Sequence, residues 1–347
     1  MAGWPTKLKD ENMVARPEEV EPASPHLPFA YDLFGLHVHS EMALPELLRG
    51  ESGNRPDVTI RLGTLPPIEG ERIDGFAVTS AGSLLNVIEA GRYLIRNGNE
   101  IIVEPRADGS ERHLRLYLLG SAFGVLLHQR NLLPLHANSI EIEGRAVAFL
   151  GHSGAGKSTM AAWFHDRGSE VLADDVCVVT LDGPRPMAQP GIPRLRMWRD
   201  ALEASGRSAE THELSFDDAE KYNVPTRRNG SVRPLELGAI YLLKTVDGEA
   251  RHPFIESLRG VEALDALVAN TYRGAYVQML GGTAAHLAAC LTLVKTIPIF
   301  VVQRVWGRDH IDVQLQQVEE HARQILRGSA TTGSRSILPT EDQQEGG

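Results

Sequence analysis

Apolar and polar residues change their rhythm near residue 110 of this 347-residue chain. Before that point, short apolar runs stand between glycine, proline and asparagine: DVTIRL (57–62), LLNVIE (84–89), YLIRN (93–97) and EIIVEP (100–105). Runs of this length bounded by turn formers predict strands. HLRLYLLGSAFGVLLHQRN (113–131) then repeats its apolar residues at helical spacing, which predicts a helix packed on a core. SIEIEGRAVAFLG (139–151) predicts a hairpin turning at Glu143-Gly144, whose second strand feeds straight into a glycine-rich loop. STMAAWFHDRG predicts a helix stopped by Gly168, and EVLAD (170–174) and VCVVTL (176–181) predict two strands after it. Farther on, AIYLLK (239–244) and IFVVQR (299–304) read as buried strands. VEALDALVANTY, TAAHLAACLTLVKT and DVQLQQVEEHARQIL carry helical periods.

The expected class is α/β: a mixed sheet carrying the glycine loop, plus a β-rich N-terminal domain. The expected division is a flexible N-terminus over 1–25, the β-rich domain over 26–110, the loop-bearing domain over 111–328 and a disordered tail over 329–347. The two terminal segments are poor in core-forming residues. No internal repeat is visible.

Composition narrows the function classes. Hydrophobic residues make up 42% and charged residues 23%, ordinary globular values that allow a sizeable core. A net charge of −10 argues against a nucleic-acid surface and leaves room for a protein partner. Cys177 and Cys290 stand far apart in no metal or CxxC spacing, as expected for two reduced thiols. Neither a signal-like segment nor an apolar run of membrane-spanning length is present, so a soluble cytoplasmic protein is expected, with no membrane partner.

The chemistry gathers in GHSGAGKSTMAAWFHDRGSEVLADDV (151–176). Gly151, His152, Ser153, Gly154, Ala155, Gly156, Lys157 and Ser158 fit G-x-x-x-x-G-K-[S/T], with Thr159 next. Glycines let such a backbone turn tightly so that amides point at phosphate oxygens, and the following helix adds its positive end. Lys157 would reach the outer phosphates of ATP and the Ser158 hydroxyl would ligate Mg²⁺. His152 occupies a variable position and is assigned no chemistry. Asp174 and Asp175 follow only 17 and 18 positions after Lys157, one helix and one return strand later. Phosphoryl transfer uses one carboxylate for the metal and another as base for the acceptor hydroxyl. Neighbouring strand residues face opposite ways, so a bend between the two strands is needed to aim both at one site.

GHSGAGKST, HDRG and ADDV together resemble the HPr kinase/phosphorylase and the wider group of HPr-kinase-like serine kinases. The family also has a histidine before the loop at the separation of His136, in LLPLHAN, from Gly151. The resemblance is firm over about 130–182 and weaker through QPGIPRLRMW (189–198) and ELGAIYLLK (236–244); it does not extend to residues 1–110. It implies a P-loop catalytic domain of the HPr-kinase and PEP-carboxykinase kind, acting on a serine of a peptide or small protein, and the bifunctional family is hexameric. It implies that Asp174 takes the acceptor proton, that Asp175 holds Mg²⁺ with Ser158, and that His136 orients the base or meets the transferring phosphate. In the bifunctional enzyme the residue after the loop serine is an acid, whereas here it is Thr159. That argues against a second metal site and against the phosphorylase half of the activity. The chain looks more like the HPr-kinase-like relatives, some of which phosphorylate precursor peptides of ribosomally made natural products such as lasso peptides.

Arg194 and Arg196 are further candidates to steady phosphates or a transition state, against a reading as solvated loop charges. Lys221, Arg227 and Arg228 form a basic cluster that could grip a nucleotide or an acidic peptide, against a reading as a solvated loop. Trp163 and Phe164 read as core rather than a stacking platform. Two rivals to a peptide kinase stay open. A kinase for a small alcohol or amino acid predicts a closed pocket, where a peptide acceptor predicts a long groove. A nucleotide-gated binding protein predicts ATP binding with Asp174 dispensable.

Overall fold

Alternating buried and exposed side chains organise residues 29–105 into one sheet. Its strands are β1 (Phe29–Leu33), β2 (Leu36–Ser40), β3 (Leu48–Arg49), β4 (Val58–Leu62), β5 (Phe76–Thr79), β6 (Gly82–Val87), β7 (Gly91–Arg96) and β8 (Glu100–Pro105). They lie in the order β3-β1-β2-β4-β8-β7-β6-β5. β2, β4 and β8 run parallel and the other pairings are antiparallel. Four of these strands fall on the runs expected from the sequence; β1 to β3 and β5 are additional. The computed structural model describes residues 27–65, 67, 75–215, 220–226, 233–246, 252–305 and 310–332.

The helix expected over 113–131 is broken into three pieces. α1 (Glu111–Tyr117) passes into one π turn (Leu118–Ala122) and then α2 (Phe123–Gln129). One face of this unit, with Leu114, Leu118, Ala122, Phe123 and Leu126, packs on Ile60, Phe76, Tyr93 and Ile101 of the sheet. Its other face is thinned by glycines. A Cβ at Gly120 would sit 3.2 Å from the Tyr272 hydroxyl, and one at Gly124 would sit 3.1 Å from the Tyr272 ring. Glycine here lets the chain around Tyr272 press against the helical unit.

The second sheet begins with β9 (Leu133–Leu135), β10 (Ala137–Ile142) and β11 (Arg145–Leu150), followed by α3 (Lys157–Asp166), β12 (Val171–Ala173), β13 (Cys177–Thr180) and β14 (Met187–Ala188). A separate three-stranded sheet follows, from β15 (Arg194–Trp198), β16 (Glu213–Leu214) and β17 (Lys221–Pro225), with α4 (Arg199–Ala204) after β15. β18 (Leu235–Val246), β19 (Phe254–Leu258) and β20 (Ile299–Val305) return to the second sheet. α5 (Gly260–Ala269), α6 (Ala275–Met279) and α7 (Thr283–Thr296) lie between β19 and β20, and α8 (Ile311–Thr332) is the last element of the described residues. α8 runs past residue 328, into the segment expected as a tail; the rest of that segment and residues 1–26 lie outside the described residues.

Helices cover both faces of the second sheet. α3 and α8 pack on one face through Met160, Phe164, Leu315, Val318, Ala322 and Leu326, the last four at helical spacing. α5 and α7 pack on the other through Ala266, Leu267, Cys290 and Leu293. Val176, Val178 and Tyr276 join the core of the first sheet, so the two sheets share packing. Both cysteines are buried free thiols. The architecture is mixed α/β, and no helix among the described residues is long and apolar enough to cross a membrane.

Candidate functional site

Topology gathers the chemistry at one edge of the second sheet. β10 runs antiparallel to both β11 and β12 and lies between them. The loop after β11, the acids after β12 and the residue before β10 therefore emerge at the same end. They are the glycine loop, Asp174 with Asp175, and His136. The hairpin that sets this register turns where expected: Ile142 pairs with Arg145, and Glu143 and Gly144 both have positive φ, 53° and 74°.

The loop from Gly151 to Gly156 needs its glycines. Gly151, Gly154 and Gly156 have φ of 152°, 85° and 83°, the left-handed side that other residues rarely adopt. Ala155 donates to the His152 carbonyl at 3.1 Å and closes a turn. α3 then starts at Lys157, and the first amides of the helix, around Lys157, Ser158 and Thr159, have no acceptor within the helix by virtue of position. His152, Ser153 and Gly154 are exposed, whereas Lys157 is 9% exposed. The Lys157 ammonium donates to the carbonyls of Gly151 at 2.6 Å and His152 at 3.2 Å, and lies 3.3 Å from His136 Nε2. Burial pushes its pKa down; Asp175 and Asp174 oppose that, and Lys221 adds to it.

His136 carries information about its own tautomer. Nε2 faces an ammonium, which can only donate, so Nε2 accepts; Nδ1 then bears the proton and donates to the Asp175 carbonyl at 3.0 Å. Burial holds the imidazole below its ordinary pKa against the pull of Asp175, which keeps the ring neutral near pH 7.

The bend expected between the two acids lies at Asp175, whose φ of 70° is left-handed. Both carboxylates consequently meet one residue, Arg196 on β15. Asp174 Oδ2 accepts from the Arg196 backbone amide at 2.7 Å, and Asp175 Oδ2 accepts from its guanidinium at 2.8 Å. Asp175 Oδ1 lies 3.6 Å from His136 Nδ1. The two acids divide electrostatically. Burial, then repulsion from Asp175, pushes Asp174 up to about 6. Burial also pushes Asp175 upward, but Arg196, His136, Lys221 and Lys157 outweigh it and hold the group below its ordinary value. Environments that drive two carboxylates apart give one that stays charged and one that exchanges a proton near neutral pH.

Arg194 and Arg196 lie on a strand, β15, rather than in a solvated loop. Lys221 opens β17, half-buried, with its ammonium 5.3 Å from the centre of the Trp198 ring. Arg227 and Arg228 lie outside the described residues. Phe164 is in the core, stacked on Phe149, and Trp163 donates to Asp312 at 2.6 Å.

Several residues of the site are not among those the sequence singled out. Asn270, after α5, accepts the Gly151 amide at 3.1 Å and its carbonyl accepts the His136 amide at 2.7 Å, tying loop to histidine. Asn138 donates to the Lys157 carbonyl. Arg304, 2% exposed, supports the loop from beneath by donating to the Ala155 carbonyl at 2.7 Å, and burial pushes its pKa down to about 10. A lone arginine in the apolar run IFVVQR was a signal that could have exposed it.

A groove of 1470 Å³ opens beside Asp175. It passes from His136, Asp175 and Arg196 along Tyr272 to Met279 and reaches Asn86 and Glu89 of the first sheet. A smaller cavity beside it brings Asp174 together with Arg194, Arg273, Ser121 and Phe34.

No family model and no curated protein matches the chain. Among solved structures, the Hpr(Ser) kinase/phosphatase from Coxiella burnetii is similar over 59% of this chain and 99% of its own, at 14% identity and a TM-score of 0.31. A likeness of that size carries no argument, and the chemistry rests on the residues of the site.

Proposed function

We propose that the chain is an ATP- and Mg²⁺-dependent kinase that phosphorylates a serine hydroxyl of a peptide or small protein. The observation that carries this reading is the division of Asp174 from Asp175 beside a glycine loop and its lysine. Phosphoryl transfer uses a second carboxylate as base, whereas a nucleotide-binding protein that transfers nothing predicts that Asp174 is dispensable.

The loop from Gly151 to Gly156 and the amides of Ser158 and Thr159 hold the phosphates of ATP. Lys157 exchanges two loop carbonyls for phosphate oxygens. The donor set fits Mg²⁺: the Ser158 hydroxyl and Asp175 Oδ1 are hard oxygens, and two protein oxygens with phosphates and waters suit that ion. Bound there, Mg²⁺ would neutralise charge on the transferring group. Arg196 fixes both acids in place. Asp174, ionised above about pH 6, accepts the proton of the acceptor serine as its oxygen bonds to the γ-phosphorus. The bond from phosphorus to the β–γ bridging oxygen breaks, and its electron pair leaves with ADP. The backbone bond to Arg196 leaves Asp174 Oδ1 for that proton.

A peptide acceptor is favoured over a small alcohol by the groove of 1470 Å³ that runs from His136 and Asp175 to the first sheet, next to the smaller cavity that Asp174 lines. The test is γ-phosphate-labelled ATP with Mg²⁺, the purified protein and a lysate of its native cell, run beside Asp174→Asn. The expected result is a labelled peptide or protein that disappears with the variant, mass spectrometry placing the label on serine. Equal labelling with both proteins removes Asp174 as base. Label in neither, with ATP bound by both, favours a nucleotide-gated binder.

A further inference from the structure

β15 presents two arginines to one cavity. Arg194 and Arg196 are alternate residues of the strand, so their side chains share a face, while Leu195 and Met197 on the opposite face are fully buried. Arg196 is committed to Asp175. Arg194 makes no ion pair among the described residues; Glu46, the acid whose charge acts on it most, meets Arg115 at 2.8 Å through Oε1. Burial and the neighbouring charge of Arg196 disfavour the Arg194 cation and outweigh the opposing pull of Glu46, Asp175 and Asp174.

The same cavity is lined by Arg273. Its backbone is left-handed, φ 52°, an uncommon conformation for a side chain of this size. Its guanidinium donates to the Ser121 hydroxyl at 2.7 Å and lies 5.6 Å from the centre of the Tyr272 ring. These partners are neutral, and Arg273 makes no ion pair among the described residues. The π turn of 118–122 is what supplies Ser121 to it. The cavity thus holds three guanidiniums and two carboxylates, one of each already matched. Asp174 accepts from the Arg196 backbone amide and makes no ion pair with Arg194 or Arg273 among the described residues.

We infer that Arg194 and Arg273 form a subsite for a carboxylate of the acceptor, next to the serine that Asp174 activates. The inference rests on the kinase reading for what happens at the serine, but the binding it predicts does not require transfer. A guanidinium is a planar donor fork matched to a carboxylate. Phe34 and Ile192 line the same cavity, and apolar walls strengthen an ion pair formed beside them. A carboxylate here comes either from an acidic side chain beside the serine or from the end of the acceptor chain.

The experiment reads binding and transfer separately on the full-length protein with Mg²⁺ and ATP analogues. Four acetylated peptides serve as probes: Ala-Ser-Gln and Ala-Ser-Glu, both amidated, and Ala-Ser with its terminus either amidated or free. An acidic probe is expected to bind about 10- to 100-fold more tightly than its neutral partner. Preference within the first pair assigns the source to a side chain, and within the second to a chain end. Arg194→Gln with Arg273→Gln abolishes the preference and leaves ATP affinity unchanged, while Arg273→Lys restores part of it. Equal binding of acidic and neutral probes to the unaltered protein, or no binding of any, overturns the inference. So does a double variant that loses ATP affinity while keeping the preference, because the arginines then serve the nucleotide. Preference without phosphate transfer upholds the subsite while the kinase reading fails.

Discussion

In the first sheet arginines meet glutamates pair by pair. Arg92 bonds Glu104, Arg96 bonds Glu100, and Arg115 of α1 holds Glu46 at 2.8 Å. At the edge of the second sheet the charges do not match in that way. Lys157 turns to backbone carbonyls, Arg196 binds two acids with different parts of itself, and Asp174 carries a raised pKa. Pairs of the first kind sit part-exposed, where solvent screens them and each contributes little. The second arrangement holds charged groups half-buried in conflict, which stabilises nothing by itself and is characteristic of sites that do chemistry.

The sharpest break between the two regions is in activity. Asp174→Asn should lower kcat by about 10²- to 10⁴-fold, and Lys157→Met by about 10²- to 10³-fold, in a labelled-ATP assay with any accepted substrate. Arg92→Ala should leave kcat unchanged in the same assay. Next in size is the pH dependence. Asp174 must be ionised to accept a proton, so kcat should fall about tenfold for each unit of pH below about 6 and flatten above it. A flat profile from pH 5 to 8 would place the base elsewhere.

Stability should move in the opposite direction to activity. The folded-state pKa of Asp174 is raised, so its contribution to stability is present below the ordinary carboxylate pKa of 3.8 and is lost as pH rises through about 6. Asp174→Asn removes that loss. The variant should be more stable than the parent by up to about 3 kcal/mol at pH 8 and by little at pH 4, read by thermal unfolding at both pH values. The smallest effect belongs to the first sheet: Arg92→Ala should cost about 0–1 kcal/mol, shrinking in high salt. A loss several times larger would mean that these pairs are not screened.

Much of the second sheet was legible because its patterns are local. The two-residue turn at Glu143-Gly144, the strand into the glycine loop and the stop at Gly168 each depend on neighbours in sequence, and strands and helix lie there. The helix over 113–131 was readable as helical but not as interrupted, because its apolar spacing runs unbroken across a π turn whose glycine contacts residue 272. The strand at Arg194 was hidden by the prolines and glycine ahead of it and by charges that β15 turns toward the acids. Asn270 and Arg304 come from far along the chain, and nothing in their own neighbourhoods points to residues 151 and 155, which they hold. Local geometry is written in local patterns; partners brought together by the fold are not.

The placement of β10 between β11 and β12 also bears on how the chain folds. The contacts that position His136, Lys157 and Asp175 close almost entirely within residues 136–175, with Asn270 and Arg196 arriving from outside. Short loops close at low entropic cost, so this unit can organise while the rest of the chain is still unstructured. β18, which covers the far side of β11, begins only at Leu235. Until it pairs, the strand RAVAFL presents a bare apolar edge, open to pairing with another unfinished copy. A chain cut short at residue 234 would thus keep the glycine loop, His136 and both acids but lose Asn270 and Arg304, which hold the loop, and the strand that covers the apolar edge.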